Sequence, residues 1–289
     1  HLLVENSIYV NGKKNNTERI NNLLFQQRNK KIINIPLRLY IYNAARPNID
    51  SIVNANIDSK PKKRKRLERF LSKKQLDKYI EARIGFNNWL KTTGEAPVIV
   101  NKEKIEKSEK QLEAYYFNNG WFNVDATSKT DTLENKKATV SYFVKTGKPY
   151  IIDSLTTKIA SPVVDSIYKV SEKQSFIKKN EQYRTATFAN EKDRITKDLR
   201  NSGVYHFSQD YVYFDMDTIN TNNKVQVELQ ILNRSVRTED STYKEPFKIY
   251  KIKEVNVFTD FSYENKDLEI VDSTNFKNFN LYSFGKMRF

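Results

Sequence analysis

Groups that could carry out bond chemistry are scarce in this sequence of 289 residues. Cysteine is absent and one of the two histidines is His1, which disfavours thiolate nucleophiles, cysteine zinc sites and histidine-based triads. Neither GxxxxGK[ST] nor GxGxxG occurs among the seven glycines, so the usual phosphate-binding loops are missing. We therefore expect no enzymatic activity, no metal site and no cofactor.

The remaining polar clusters have ordinary structural interpretations. Asp215 and Asp217 lie on one face of a predicted strand and offer a loose calcium contact, but a solvated strand end is the preferred interpretation. His206 lies between two aromatic residues, which is typical of a packed or half-exposed strand residue. Four glutamates at helical spacing, with lysines between them, predict a surface helix with ion pairs: Glu103, Glu106, Glu109 and Glu113.

Most of the net charge of +15 is concentrated in one segment. Residues 30–91 contain 16 basic and 5 acidic side chains. Such a patch can bind nucleic acid, anionic lipid headgroups or an acidic partner, or can simply be a solvated loop that leads into a helix. A nucleic-acid-binding or anionic-surface-binding protein is therefore the alternative function, although no RNP-like or helix-turn-helix signature accompanies the patch. The basic cluster consists of Lys60, Lys62, Lys63, Arg64, Lys65, Arg66, Arg69, Lys73 and Lys74.

The elements that must position these groups follow from periodicity and from turn signals. Residues 2–10 alternate as a strand before Asn11-Gly12, and residues 30–98 are typical of an irregular helical insertion. A helix begins at the N-cap Asn101 and ends at Gly120. We then predict a strand at 122–126, a turn at 131–136 and a second strand at 138–144.

The following segment repeats this order. A shift of 83 residues places Leu112 on Ile195, Tyr116 on Leu199, Gly120 on Gly203 and Phe122 on Tyr205. An internal repeat is our preferred interpretation, and chance alignment of two helix-glycine-strand units is the alternative. A third copy is predicted to start with a strand between Phe247 and Phe258, and its second helix and final hairpin are expected beyond Phe289.

These observations predict an α+β fold of tandem β-α-α-β-β units, each with a three-stranded mixed sheet and helices on one face. We expect domain 1 at residues 1–148 with the basic insertion at about 30–98, domain 2 at 149–235, and an incomplete domain 3 at 245–289. Since about 45 residues with one clear strand cannot bury a core alone, we expect the sequence to be the front part of a longer protein.

A repeated unit of this kind resembles the POTRA domain. Several stretches also resemble, in order, the periplasmic region of the BamA/TamA family of outer-membrane assembly proteins, above all its lipoprotein form, called TamL in Bacteroidota. Each stretch is weakly specific alone, but together they cover nearly the whole chain. They are LLVENSIYVNGK at 2–13, NKKII at 29–33, PLRLYIYN at 36–43, GEAPV at 94–98, YFNNGWF at 116–122, TGKPY at 146–150 and GVYHF at 203–207.

The resemblance implies a receptor on the periplasmic side of the outer membrane that performs no bond chemistry. In that family, POTRA repeats hang below a C-terminal barrel that inserts β-barrel proteins into the membrane, and the TamA branch works with the periplasmic protein TamB. The implied partners are a TamB-like protein or other assembly subunits and unfolded β-barrel precursors. The lipoprotein form also implies an acylated cysteine just before His1. This sequence shows no barrel and lacks the family's barrel-interior Arg-Gly-Phe signature, so we expect that it cannot insert proteins by itself.

Strand addition is the physical mechanism that suits such a receptor, because an open sheet edge presents unpaired amides and carbonyls to an extended peptide. By analogy with POTRA topology, the open edge is the first strand of each terminal hairpin. Proline at Val124 or Val212 should then impair binding without unfolding the domain. The aromatic side chains of the second edge either grip the peptide or pack the sheet. The predicted edge residues are Phe122, Asn123, Val124, Asp125 and Ala126, and Tyr211, Val212, Tyr213, Phe214 and Asp215.

Overall fold

The computed structural model describes residues 1–15, 17–58, 69, 72–219, 221–264 and 269–287. The chain divides into two compact units, His1–Tyr150 (unit 1) and Ile151–Phe289 (unit 2). Both combine helices with mixed sheets, as the α+β prediction requires.

Unit 1 is built on one four-stranded sheet with the order β2-β1-β4-β3. β1 runs parallel to β4, and β3 is antiparallel to β4. Apolar residues alternate along β4, and they pack with Ile8 of β1 and Leu112 of α5 to form the core. The elements are β1 (Leu2–Val10), β2 (Lys13–Lys14), α1 (Glu18–Asn21), α2 (Leu37–Ala44), α3 (Ile49–Asp58), α4 (Lys73–Thr93), α5 (Lys102–Asn118), β3 (Asp125–Leu133) and β4 (Lys137–Lys145).

In its described residues, unit 2 contains two three-stranded sheets and a short hairpin. The first sheet has the order β5-β7-β6 and the second has the order β10-β12-β11. The core of the first sheet combines alternate residues of β7 with Ile195 and Leu199 of α7. The elements are β5 (Ile151–Ile159), α6 (Pro162–Ser171), α7 (Thr185–Asn201), β6 (Val212–Asp217), β7 (Lys224–Ile231), β8 (Arg234–Arg237), β9 (Thr242–Glu245), β10 (Val255–Phe258), β11 (Asp272–Phe276) and β12 (Phe279–Ser283).

The three main sheets share one topology. In each sheet, the strand that comes first in sequence (β1, β5 or β10) runs parallel to the strand that comes last (β4, β7 or β12). The strand that directly precedes the last one in sequence (β3, β6 or β11) is antiparallel to it and lies at an edge of the sheet. The register of β1 shifts between Leu3 and Glu5, and the register of β5 shifts between Ile152 and Ser154, so the bulge also falls at the equivalent place. Such a bulge locally bends and twists the strand.

The segment after Gly120 differs from the strand predicted at 122–126. Phe122, Asn123 and Val124 lie in a turn, and β3 begins only at Asp125 and continues to Leu133. The Phe122 ring packs against Phe117 and Tyr150, at centroid distances of 4.9 and 4.7 Å. Packing at the helix end thus replaces strand pairing over these three residues. The turn predicted at 131–136 is also shorter, at residues 134–136, because β3 continues to Leu133.

The start of the third sheet also differs from the prediction. Residues 247–252 form no strand, because Phe247 is buried in the core of the β5-β7-β6 sheet and its N–H donates to Ser161 Oγ at 2.9 Å. The first strand is β10, which begins at Val255. The final hairpin lies within the chain as β11 and β12, not beyond Phe289.

Candidate peptide-binding site

Strands β1 and β5 each have an edge that the chain itself covers. The N–H of Leu3 donates to the carbonyl of Val98 at 2.8 Å, and the N–H of Val100 donates to the carbonyl of His1 at 2.9 Å. In unit 2, the N–H of Ile152 donates to the carbonyl of residue 181 at 2.8 Å, which is equivalent to the bond from Leu3, and the N–H of residue 180 donates to the carbonyl of Ile152 at 2.8 Å. The central bridging residues, Ile99 and Gln182, are 83 residues apart, which is the offset of the repeat. This edge is therefore closed in the same way in both units.

The opposite edges, β3 and β6, each pair with one strand only within the described part of the chain. Neighbouring residues of an antiparallel strand direct their backbone groups to opposite sides. The carbonyls of Val144 and Ile231 accept from Asn11 and Ala160, which lie on the far side of β4 and β7. The residues opposite them, Ala126 and Val212, must therefore direct their backbone groups outward from the sheet.

The outward backbone groups of β3 and β6 begin with residues that already have partners. The N–H of Ala126 donates to Glu113 Oε1 at 3.1 Å, and the N–H of Val212 donates to the carbonyl of Gln209. The next outward N–H groups belong to Ser128 and Thr130 in β3 and to Phe214 and Met216 in β6. Their direction follows from the alternation of the strand, and no acceptor for them lies among the described residues. These groups can receive an extended peptide.

The structure divides the predicted edge residues into three groups. Asp125 and Ala126 lie in β3, and residues 212–215 lie in β6. Tyr211 belongs to a short 3-10 turn that precedes β6, and residues 122–124 lie in the turn described above. Proline at Val124 would therefore test a turn, and proline at Val212 would remove a hydrogen bond inside the protein. Positions 130 and 216 are the informative ones.

The aromatic side chains around β6 do not all face the same way. Tyr211 and Phe214 pack into the core, where the Phe214 ring contacts Phe188 at 5.0 Å. Tyr213 is 49% exposed, and the Lys192 ammonium lies 5.8 Å from its ring centroid. The side-chain grip available to a peptide on the outer face of β6 is therefore limited to Tyr213 and its polar neighbours.

A buried charge cluster anchors the helix that supports β6. Glu191 is fully buried; its carboxylate accepts the N–H of Phe176 at 2.8 Å and pairs with the Arg194 guanidinium at 2.7 Å. Burial lowers the pKa of Arg194. The hydrogen bond and charge of Glu191 and the charge of Asp198 raise this pKa by more than burial lowers it, so the pKa is raised overall. Burial and the Glu191 charge together raise the pKa of Tyr168 to about 12.

The first repeat has a neutral counterpart of this anchor. Ser108 lies 83 residues before Glu191, is also buried, and its Oγ accepts the N–H of Phe25 at 2.9 Å. In both repeats a buried polar side chain on the second helix thus holds the preceding loop by one backbone N–H. Sequence reasoning missed this pair, although the 83-residue offset aligns the two positions.

Two glycines provide a second repeated feature. Gly120 and Gly203 have φ values of +95° and +91°, which favour glycine at a helix end. The carbonyl of Gly120 accepts the N–H of Tyr150 at 2.7 Å, and the carbonyl of Gly203 accepts the N–H of Tyr250 at 2.8 Å. Each glycine therefore fixes the chain segment that follows the last strand of its repeat.

The other candidate groups are not brought together into a site. His206 lies in a turn, not a strand, because its ring packs on Tyr205 and Tyr250, at 5.0 and 5.1 Å. Lys60 and residues 62–66 lie outside the described residues, whereas Arg69, Lys73 and Lys74 are exposed. In the described ranges, no three His, Cys, Asp or Glu side chains, including Asp215 and Asp217, are grouped to hold a metal ion. No helix there is both long and apolar enough to cross a membrane.

Comparison with known proteins addresses the fold. Residues 67–147, which include α4, α5, β3 and β4, match the POTRA family, described as "Surface antigen variable number repeat". The fold is of the POTRA type. This assignment combines the family match with the shared sheet topology of the two units. No curated protein matches the chain in sequence.

Several solved structures are similar to the chain at low identity. The POTRA3-5 fragment of Haemophilus influenzae BamA is 13% identical, with 62% of this chain and 79% of that chain covered and a TM-score of 0.31. POTRA1-2 of the periplasmic domain of Omp85 from Anabaena is 10% identical, with 79% and 93% covered and a TM-score of 0.27. CdiB from Escherichia coli is 9% identical, with 48% and 23% covered and a TM-score of 0.23. Because these scores are low, the fold assignment does not depend on them.

Proposed function

We propose that the chain is the periplasmic arm of an outer-membrane protein assembly or translocation factor. In this role it binds unfolded β-barrel precursors or partner proteins by strand addition, as a receptor and not as an enzyme. The observation that carries the proposal is that the two edges of each sheet differ in backbone hydrogen bonding. In both units the first-strand edge is covered by the chain, while β3 and β6 present outward backbone groups.

Pairing through the backbone suits a receptor with many clients. Every non-proline residue carries the same N–H and C=O groups, so an added strand needs no particular sequence. Specificity then comes from side chains that contact the edge. At β6 these are the exposed Tyr213 and the neighbouring Asp215 and Lys192. We expect this edge to prefer extended segments that alternate apolar and polar residues, as membrane barrel strands do.

The test is amide hydrogen exchange of the 289-residue chain with and without a peptide copied from a barrel strand. Binding at β6 should slow exchange of the outward amides of Phe214 and Met216 by at least about tenfold, because they gain acceptors. The inward amides of Tyr213 and Asp215 already pair with β7 and should change little. This alternating pattern distinguishes strand addition from general rigidification of the domain.

Position 216 offers a matched pair of variants. Met216→Pro removes the outward N–H, whereas Met216→Val keeps it and is compatible with a strand. Only the proline variant should lose peptide binding, with the helical circular dichroism signal unchanged. Thr130→Pro and Thr130→Val provide the same pair in β3. If both folded proline variants bind as well as the valine variants, the strand-addition proposal is refuted.

We further propose that the chain contains three repeats, at 1–148, 149–235 and 245–289, from a TamL-like lipoprotein of Bacteroidota. A TamB-like partner, an acylated cysteine before His1 and a barrel after Phe289 belong to this proposal. Its support is the resemblance of the ordered stretches between Leu2 and Phe207. The outer-membrane fraction of source cells should then contain a species much heavier than 34.1 kDa whose gel migration shifts on heating. A protein of only 34.1 kDa outside the membrane fraction would contradict it.

A further inference from the structure

The helical insertion of unit 1 contains an open groove that the proposed strand addition does not use. Helices α2 and α3 both pack against α4, and the groove between them has a volume of about 600 Å³. Ile49 and Ile52 of α3 line one wall, and Tyr79, Phe86 and Leu90 of α4 line the other. The exposed lining of the groove is about equally apolar and polar, so the groove suits an amphipathic ligand.

The groove is held in shape by a buried amide. Asn87 of α4 is only 5% exposed, and its side chain forms two hydrogen bonds with the backbone of Arg46. The N–H of Arg46 donates to Asn87 Oδ1 at 2.7 Å, and Asn87 Nδ2 donates to the carbonyl of Arg46 at 3.1 Å. The connection between α2 and α3 is thereby fixed to α4, so a ligand meets a preformed surface.

Large aromatic side chains of α4 are exposed in the wall of the groove, as Phe86 is, or beside it, as Trp89 is. Phe86 is 61% exposed and Trp89 is 52% exposed, and their rings stack at a centroid distance of 5.8 Å. Tyr79 lies two helical turns before Phe86 on the same side. Contiguous exposed aromatic residues beside a groove mark an interaction surface, whereas single exposed residues do not.

The charge around the groove selects the kind of partner. Among the described residues, those that line it include Arg46 and Arg83 and no carboxylate. The Arg83 guanidinium donates to the Tyr79 hydroxyl at 3.1 Å and lies 5.8 Å from the ring centroid. Arginine pairs with carboxylates in a bidentate geometry, and a concave groove fits inserted side chains better than a flat bilayer surface.

From this geometry we propose that the groove between α2, α3 and α4 binds an acidic amphipathic helix of a partner protein. Its apolar side chains enter between Ile52 and Phe86, and its carboxylates pair with Arg46 and Arg83. The excess of 16 basic over 5 acidic residues in 30–91 steers such a segment toward the insertion. This site is independent of the β3 and β6 edges.

The test uses the full chain and a labelled helical peptide of about four turns, with leucines on one face and glutamates on the other. Binding is measured by fluorescence anisotropy at low and moderate salt. The double variant Arg46→Glu/Arg83→Glu should weaken binding at least about tenfold. Lys78→Glu is the matched control, because it reverses an exposed charge on α4 outside the groove and should have a small effect.

Reciprocal and competing probes make each outcome decisive. A peptide with lysine in place of glutamate should bind the double arginine variant better than the native chain. Phe86→Ala should weaken binding without charge reversal, and Met216→Pro should leave it unchanged. Equal weakening by Lys78→Glu and by the double variant would overturn the proposal. It would also be overturned if vesicles with anionic lipids or duplex DNA bind through the arginines and the acidic peptide does not.

Discussion

Replacement of Gly203 by alanine tests whether this glycine fixes the segment that leads out of the second repeat. Gly203 has a φ of +91°, and its carbonyl accepts the N–H of Tyr250 at 2.8 Å. An added Cβ would lie 2.8 Å from the carbonyl oxygen of Tyr250 and 3.0 Å from Cγ2 of Ile249. The substitution therefore strains the helix end and pushes the segment away.

The two effects have separate magnitudes. A left-handed conformation costs a non-glycine residue about 1–2 kcal/mol. Loss of the hydrogen bond from Tyr250 to Gly203 adds about 0.5–1.5 kcal/mol. We expect Gly203→Ala to lower the free energy of unfolding of unit 2 by about 1.5–3.5 kcal/mol. Gly12→Ala is the matched control, because a Cβ added at Gly12, where φ is +80°, would meet no atom of the described residues within 4 Å, and only the conformational cost applies.

Hydrogen exchange read by mass spectrometry reports each unit separately, so the chain need not unfold in one step. In Gly203→Ala the Tyr250 amide should exchange at least about fivefold faster, which corresponds to about 1 kcal/mol. In Gly12→Ala it should not change. If Gly203→Ala destabilises its unit no more than Gly12→Ala does, and Tyr250 keeps its protection, then Gly203 does not fix the segment.

Three further substitutions test other contacts of the two units. Glu191→Gln should lower the free energy of unfolding by about 3 kcal/mol in urea titrations, because Arg194 remains buried without its main charge partner. Tyr168→Phe should be neutral or stabilising by up to about 1 kcal/mol at pH 7, because the buried hydroxyl has no partner among the described residues. Since burial raises the folded-state pKa of Tyr168 to about 12, the Tyr168 hydroxyl stays protonated to a higher pH in the folded state than in the unfolded state. Stability is thus lost as pH rises from about 10 toward 12, and urea titrations across this range should show a smaller loss for Tyr168→Phe. Asn87→Ala should destabilise the insertion by about 2–3 kcal/mol and accelerate exchange of the Arg46 amide, and unchanged exchange would contradict the clamp.

Much of the local structure could be predicted from the sequence because its signals lie within a few residues. Asn101 caps α5 through its side chain, which accepts the N–H of Lys104 at 3.0 Å. Gly120 and Gly203 end their helices with positive φ, and the alternation of Val225 to Ile231 matches the buried face of β7. Helix caps, C-terminal glycines and period-two alternation each depend on residues that are close in sequence, so they can be recognised from a short stretch of sequence.

The start of β3 could not be predicted in this way. Residues 122–126 alternate like a strand, but Phe122 packs on Phe117, which is close in sequence, and on Tyr150, which is distant in sequence. Residues 247–252 also have a strand composition, yet Phe247 enters the core beside Phe207 and Tyr211. In both cases an aromatic side chain makes a tertiary packing contact in place of strand pairing, and only the folded chain shows that contact.

The sequence by itself determined the repeat of 83 residues, the order of the main strands and helices in its first two copies, and the C-terminal ends of α5 and α7. Only the tertiary structure decided which sheet edges are closed, since Ile99 and Gln182 cover their strands through backbone groups. It also decided that Ser108 and Glu191 each hold a preceding loop in their own repeat, and that Asn87 shapes a groove. Every non-proline residue carries the same backbone N–H and C=O groups, so the backbone pairings between distant segments cannot be recognised from the sequence pattern.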